Sequence, residues 1–134
     1  GNLDPTFGSG GKTIVNFDSP SGTMRTALAY DMELTSINGE EKIVLSGHGV
    51  IEPLGRDFLL ARLNSDGSLD GTFGGAQGLS GRVVTDLATP AWPKTFGCAL
   101  VIAIDHDNRI VAAGYHHTFD TSPSPLLGGD RHGL

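Results

Sequence analysis

The sequence predicts an all-β chain built from two copies of one antiparallel unit. Three observations carry that expectation. Glycine supplies 20 and proline 7 of the 134 residues, so the chain must turn often, as many short strands require. Several runs alternate apolar and polar residues with period two, the pattern of a sheet with unlike faces. Blocks of sequence also return in the same order further along the chain, the mark of a repeat architecture.

The repeat is legible residue by residue. Leu3-Asp4-Pro5-Thr6-Phe7-Gly8 returns as Leu69-Asp70-Gly71-Thr72-Phe73-Gly74. Gly11-Lys12 followed by Ile14 returns as Gly81-Arg82 followed by Val84, after a longer glycine-rich loop. Lys42-Ile43-Val44-Leu45-Ser46-Gly47 returns as Arg109-Ile110-Val111-Ala112-Ala113-Gly114, after a shorter turn. The length changes fall only in turns.

Each copy reads as strands. In copy one, 12–17 opens the unit. Residues 27–35 follow, with Leu28, Tyr30, Met32 and Leu34 expected on one face. The β-branched run 42–47 comes next. In 57–63, Phe58, Leu60 and Arg62 alternate with Leu59, Ala61 and Leu63; a helix is the competing reading, because Leu, Ala and Arg favour one. Copy two offers 82–87, 97–104 and 109–115, giving seven strands in all. Asn38-Gly39, Asp66-Gly67 and Asp107-Asn108 are the turn dipeptides between runs. Two prolines and two glycines near residue 125 argue against an eighth strand. The organisation expected is repeat one over 1–66, an incomplete repeat two over 67–118, and a Pro/Gly-rich loop or tail over 119–134.

Composition excludes several function classes. Fifteen acids against nine bases give a net charge of −6, which disfavours a surface that tracks nucleic-acid phosphates. No apolar run approaches the roughly 20 residues of a membrane-spanning helix. A single cysteine excludes an intrachain disulfide and any multi-cysteine metal site. The chain opens on Gly1-Asn2 rather than Met, as a processed product or a fragment would.

The repeated Leu-Asp-x-Thr-Phe-Gly and (Lys/Arg)-Ile-Val-x-(Ser/Ala)-Gly blocks, with Asp57-Phe58-Leu59-Leu60-Ala61-Arg62-Leu63-Asn64-Ser65-Asp66-Gly67-Ser68, resemble the delta-60 repeat. That repeat is a β-propeller-type unit found in tandem in bacterial, often surface-exposed or secreted, proteins. The resemblance covers about residues 2–115. It implies antiparallel four-stranded blades, with the second blade here lacking its fourth strand, and a bacterial cell-surface or extracellular setting. It implies little chemistry. Two blades cannot close a propeller ring, which takes roughly four to eight. A homo-oligomer, or further repeats of the same protein, is therefore the expected partner.

Candidate site residues are few. Asn64, Asp66 and Asp70 place oxygen side chains at the spacing that Ca²⁺ favours, around a sharp glycine turn. The plain alternative is a hairpin turn whose Asn and Asp cap backbone amides. His116, His117 and Asp120 form the other metal candidate, weakened because neighbours in a strand point to opposite faces. Trp92, in Pro90-Ala91-Trp92-Pro93, is the candidate for ligand contact, as a ring on which a sugar could stack. Cys98 reads as an inert core thiol, and Asp4 and Asp70 as turn caps. No nucleophile motif is present, no catalytic residue is identified and no cofactor is expected; Ca²⁺ is the ion that the spacing of Asn64, Asp66 and Asp70 admits. The reading is a non-enzymatic repeat module, a scaffold or a recognition surface for glycan or protein. The alternative is a hydrolase or lyase with a metal- or carboxylate-based site at the propeller mouth.

Overall fold

The structure, a computed structural model, describes residues 1–18, 24–51, 55–76, 79–90 and 95–118. The fold is all-β, with no α-helix among the described residues. Six strands follow in chain order: β1 (Met24–Ile37), β2 (Glu40–Ile51), β3 (Gly55–Asn64), β4 (Arg82–Thr85), β5 (Thr95–Ile104) and β6 (Ile110–Thr118). They form one sheet in the order β1-β2-β3-β5-β6, with β4 paired to β3 off that path. All pairings are antiparallel except a short parallel contact, Gly55 with Thr95 and Arg56 with Phe96, where β3 meets β5.

The turns follow their residues. Asn38 (φ 54°) and Gly39 (φ 83°) take the two left-handed positions of a tight hairpin between β1 and β2. Asn108 (φ 59°) takes a left-handed position in the corresponding turn of copy two. Segment 57–63 is strand, not helix: Asp57, Leu59, Ala61 and Leu63 are buried and the residues between them half-buried. Tertiary pairing on both edges of β3 overrides its helical propensity.

Two expectations are corrected. Residues 12–17 are not a strand; Lys12 makes only an isolated bridge to Gly8. The counterpart strand β4 explains why. It pairs with β3, the third strand of the preceding unit, whereas no described strand lies beside 12–17 in that way. Sequence repeat and structural sheet are therefore offset by one strand. The first blade is β1-β2-β3 completed by β4 from copy two, and six strands stand among the described residues instead of seven. Residues 119–134 lie outside the described residues.

The second correction concerns β1. Its pairing with β2 slips between Ala29 and Asp31, leaving Tyr30 as a bulge. One face then carries Ala27, Ala29, Met32 and Leu34. The other carries Leu28, Asp31, Glu33 and Thr35, beside His48, Ser46, Val44 and Lys42 of β2. The apolar face expected for β1 is thus split between both sides. The same bulge occurs in β5, where Leu100 stands between Ala99 and Val101.

Apolar residues pack on both sides of the first blade. On one side Phe17, Leu59 and Ala61 are buried together, with Val15, Leu45 and Val84 packed against them. Phe17 thus holds the unpaired 12–17 segment down on the sheet. On the other side β5 of the second blade covers β1 and β2: Val44, Cys98, Ala99 and Ile102 are buried.

Close strand approach at the bulges requires glycine. A methyl group on Gly47 would overlap the carbonyl oxygen of Leu28, and one on Gly114 would overlap that of Cys98. These are corresponding positions of the two copies. Gly47→Ala and Gly114→Ala are each expected to cost about 1–3 kcal/mol, the usual range for overpacking. Gly71→Ala, where the added carbon meets only Ser80 Oγ at 3.4 Å, is the mild control. Thermal unfolding followed by circular dichroism checks the ranking.

Candidate functional site

Two polar clusters stand out, one in the repeated loop and one between the blades. The loop cluster grows from the Leu-Asp-x-Thr-Phe-Gly block. Asp70 Oδ1 accepts hydrogen bonds from the Thr72 backbone N–H (3.0 Å) and hydroxyl (2.7 Å). Asp4 does the same with Thr6, at 2.9 and 2.6 Å. Both are turn caps, as the sequence suggested. Asp70 carries a second tier that Asp4 lacks. Its Oδ2 accepts from Arg62 Nε at 2.8 Å and faces Lys42 Nζ at 3.7 Å. Arg62 also reaches Thr72 Oγ1 (3.0 Å) and lies over the Phe73 ring.

Burial alone would raise the Asp70 pKa, but hydrogen bonds from Thr72 and Arg62, with the Arg62 charge, overcome it and hold the group at about 2. A carboxylate so committed works as a structural pin. It ties the loop of copy two to the end of β3, and through Lys42 to β2.

The three residues considered for calcium serve this loop. Asp66 Oδ1 accepts from the Ser68 N–H (2.8 Å) and hydroxyl (2.6 Å). Asn64 Nδ2 donates to Ser68 Oγ (2.9 Å), and Asn64 Oδ1 accepts from Lys42 Nζ (2.7 Å). Gly67 receives the first loop of the chain: Thr13 Oγ1 donates to its carbonyl (2.9 Å), and Gly8 N–H donates to Asp66 O (2.7 Å).

His116 and His117 are neighbours on β6, paired across the strand with Gly97 and Phe96. His117 tilts against Tyr115, with ring centroids 5.3 Å apart. Asp120 and Trp92 lie outside the described residues. Among the described residues, no three His, Cys, Asp or Glu side chains are grouped to hold a metal ion.

The second cluster lies where β5 crosses the first blade. His48 Nδ1 stands 3.2 Å from Cys98 Sγ, both residues buried, and the Tyr30 ring stacks on His48 at 5.4 Å. Burial pushes the Cys98 thiol up, and burial with the Arg56 charge pushes the His48 imidazole down. Both shifts favour the neutral pair, the reverse of the thiolate–imidazolium state that a nucleophilic cysteine needs. The contact is a sealed neutral hydrogen bond that joins the blades. Asp31 Oδ2 adds another, accepting from the Ile102 N–H at 2.8 Å, and Thr35 Oγ1 donates to Asn108 Oδ1 at 3.1 Å.

Asp57 is the anomaly. Its carboxylate is fully buried, and neither oxygen has a hydrogen-bond partner. Burial, with repulsion from Asp86, raises its pKa to about 6. The sequence carried one signal for this: an acid at the head of the alternating core face Asp57, Leu59, Ala61, Leu63. The His48–Cys98 pair left no such signal, because the two are 50 residues apart and meet only through blade packing.

Two predictions follow the signs of these shifts. The folded pKa of Asp57 lies above its unfolded value near 3.8, so the folded state loses stability as pH rises from about 4 through 6. His48, with a lowered pKa, acts in the opposite sense just below its ordinary value of 6.5, so the variant-minus-parent difference is the quantity to read. Asp57→Asn is expected to match the parent at pH 4 and to exceed it at pH 7.5 by about 3 kcal/mol, from 1.36 kcal/mol per pKa unit. Urea unfolding at the two pH values measures it. Asp70 runs the other way. Its contribution, about 2 kcal/mol, is present above pH 4 and is lost as pH falls toward 2. Asp70→Ala, which leaves Arg62 unpaired, is expected to cost about 3–5 kcal/mol at pH 7 in the same assay.

Comparison with known proteins agrees with the architecture. No curated protein and no solved structure matches the chain. A family model described as a domain of unknown function (DUF5122), beta-propeller, matches residues 42–73, from near the start of β2 through β3 to the Leu-Asp-x-Thr-Phe block.

Proposed function

We propose that the chain is a non-enzymatic structural module of the delta-60 type, whose sheet faces act as recognition surfaces for protein. The observation that carries this reading is how its polar groups are used. The hydrogen bonds that repeat in both copies, Asp4 with Thr6 and Asp70 with Thr72, hold loops in shape. The pair that resembles a nucleophile and base, Cys98 and His48, is buried and biased to its neutral state. A residue that recurs once per unit fits a structural task better than a catalytic one. Large apolar side chains, by contrast, are exposed on the sheets: Met32, Leu34, Val101 and Val111. Exposed apolar surface of that kind, Met32 with Leu34 on β1 and Val101 with Val111 on β5 and β6, marks interaction sites.

The delta-60 resemblance supports a bacterial cell-surface or secreted setting. Glycan binding is the second recognition option, and it would rest on Trp92. The reading is tested by incubating the full chain with chromogenic esters and glycosides across pH 5–8. The expected result is no turnover above that of His48→Ala. Turnover by the parent chain would favour the hydrolase alternative, with its metal- or carboxylate-based site, instead.

A further inference from the structure

The interface between the two blades shows what the two outer faces are built to meet. In the middle of the molecule, β2 of the first blade packs against β5 of the second. On the β2 side Val44, Ser46 and His48 are 0, 2 and 2% exposed; on the β5 side Ala99 and Ile102 are 0 and 3% exposed. The repeat supplies a second copy of each surface, and there the exposure reverses. Val111, the counterpart of Val44, is 57% exposed, and Tyr115, the counterpart of His48, is 40% exposed. Met32, the counterpart of Ile102, is 56% exposed.

Among the described residues, each surface of the complementary pair thus occurs once covered and once exposed. Among the described residues, the β6 end presents the β2-type surface with no partner on it. The β1 end presents the β5-type surface in the same way. A groove of about 430 Å³, lined by Phe96, Tyr115, His117 and Thr118, opens at the first end. A smaller one of about 220 Å³, lined by residues that include Ala27, Ala29, Leu45 and Phe17, opens at the second. Ile14 points the same way. It is 93% exposed, whereas its counterpart Val84 is paired with Leu59, half-buried and packed against the core.

We infer that the β6 end of one chain binds the β1 end of a second copy, head to tail, in the geometry of the internal blade interface. The inference deepens the reading of the chain as a recognition module by naming its partner. It also fixes a register. Cys98 meets His48 inside the chain, so Leu28 of one copy meets Tyr115 of the next. A heterologous contact of this kind closes into a ring or grows as a filament; a two-fold dimer would instead join like ends.

The experiment uses the full chain and two exposed substitutions of like charge. Met32→Glu spoils the β1 end, and Val111→Glu spoils the β6 end. Light scattering at about 10–200 µM, a roughly twentyfold range around a moderate affinity, is expected to show assemblies above 14.0 kDa for the parent chain. Each variant alone is expected to stay at 14.0 kDa, and their equimolar mixture to give a species of twice that mass and nothing larger, since one intact end remains on each. Circular dichroism establishes that strand content is kept; if a variant loses it, Leu34→Glu and Ala113→Glu test the same two ends. A parent chain at 14.0 kDa throughout, a variant that assembles as the parent does, or a mixture that stays monomeric overturns the proposal. Turnover in the substrate assay would sink the non-enzymatic reading and leave these masses unchanged, so the two failures are distinguishable.

Discussion

A flat sheet with two apolar faces cannot stand alone in water, and this constraint organises the molecule. The first blade covers one face with the second blade and part of the other with the 12–17 segment, held by Phe17 against Leu59 and Ala61. The covering sheet must come close, and the bulges at Tyr30 and Leu100, with Gly47 and Gly114 opposite them, shape each blade in the same way. What remains uncovered are the apolar positions on the outer strands, such as Met32 and Val111.

The electrostatics follow from the same packing. Carboxylates in the loops find donors at once: Asp4, Asp66 and Asp105 all have lowered pKa values through hydrogen bonds with nearby residues. Asp70 combines near-complete burial with two basic partners, and so couples loop, β2 and β3. Asp57 has neither partner nor solvent. Buried polar groups are normally satisfied, so this one marks a position where packing has been favoured over solvation.

Much of the architecture was legible in the sequence because the repeat states β1 and β2 again as β5 and β6. Period-two alternation located β3, and turn chemistry located the Asn38-Gly39 hairpin. Two things were hidden. The 12–17 segment has the residues of a strand but lacks a partner, and pairing is a property of the surroundings, not of the segment. The bulge in β1 shifts side chains between faces by a single residue, which simple alternation cannot register. The interior polar contacts were hidden for a related reason: His48 and Cys98 are joined by the stacking of blades, and sequence spacing says nothing of that.

The offset between repeat and sheet also bears on how such units come apart. Because β4 belongs in sequence to copy two yet pairs along β3 of the first blade, each unit is stitched into its neighbour by backbone hydrogen bonds as well as by side-chain packing. Melting one unit therefore strips an edge strand from the unit before it. In a one-dimensional array, stability is a sum of intrinsic terms and nearest-neighbour couplings, and a shared strand enlarges the coupling at the expense of the intrinsic term. The same stitch gives tension along the chain a defined first point of failure: the four residues Arg82–Thr85, the shortest strand among the described residues, which would peel from Phe58–Ala61 before either longer hairpin opens.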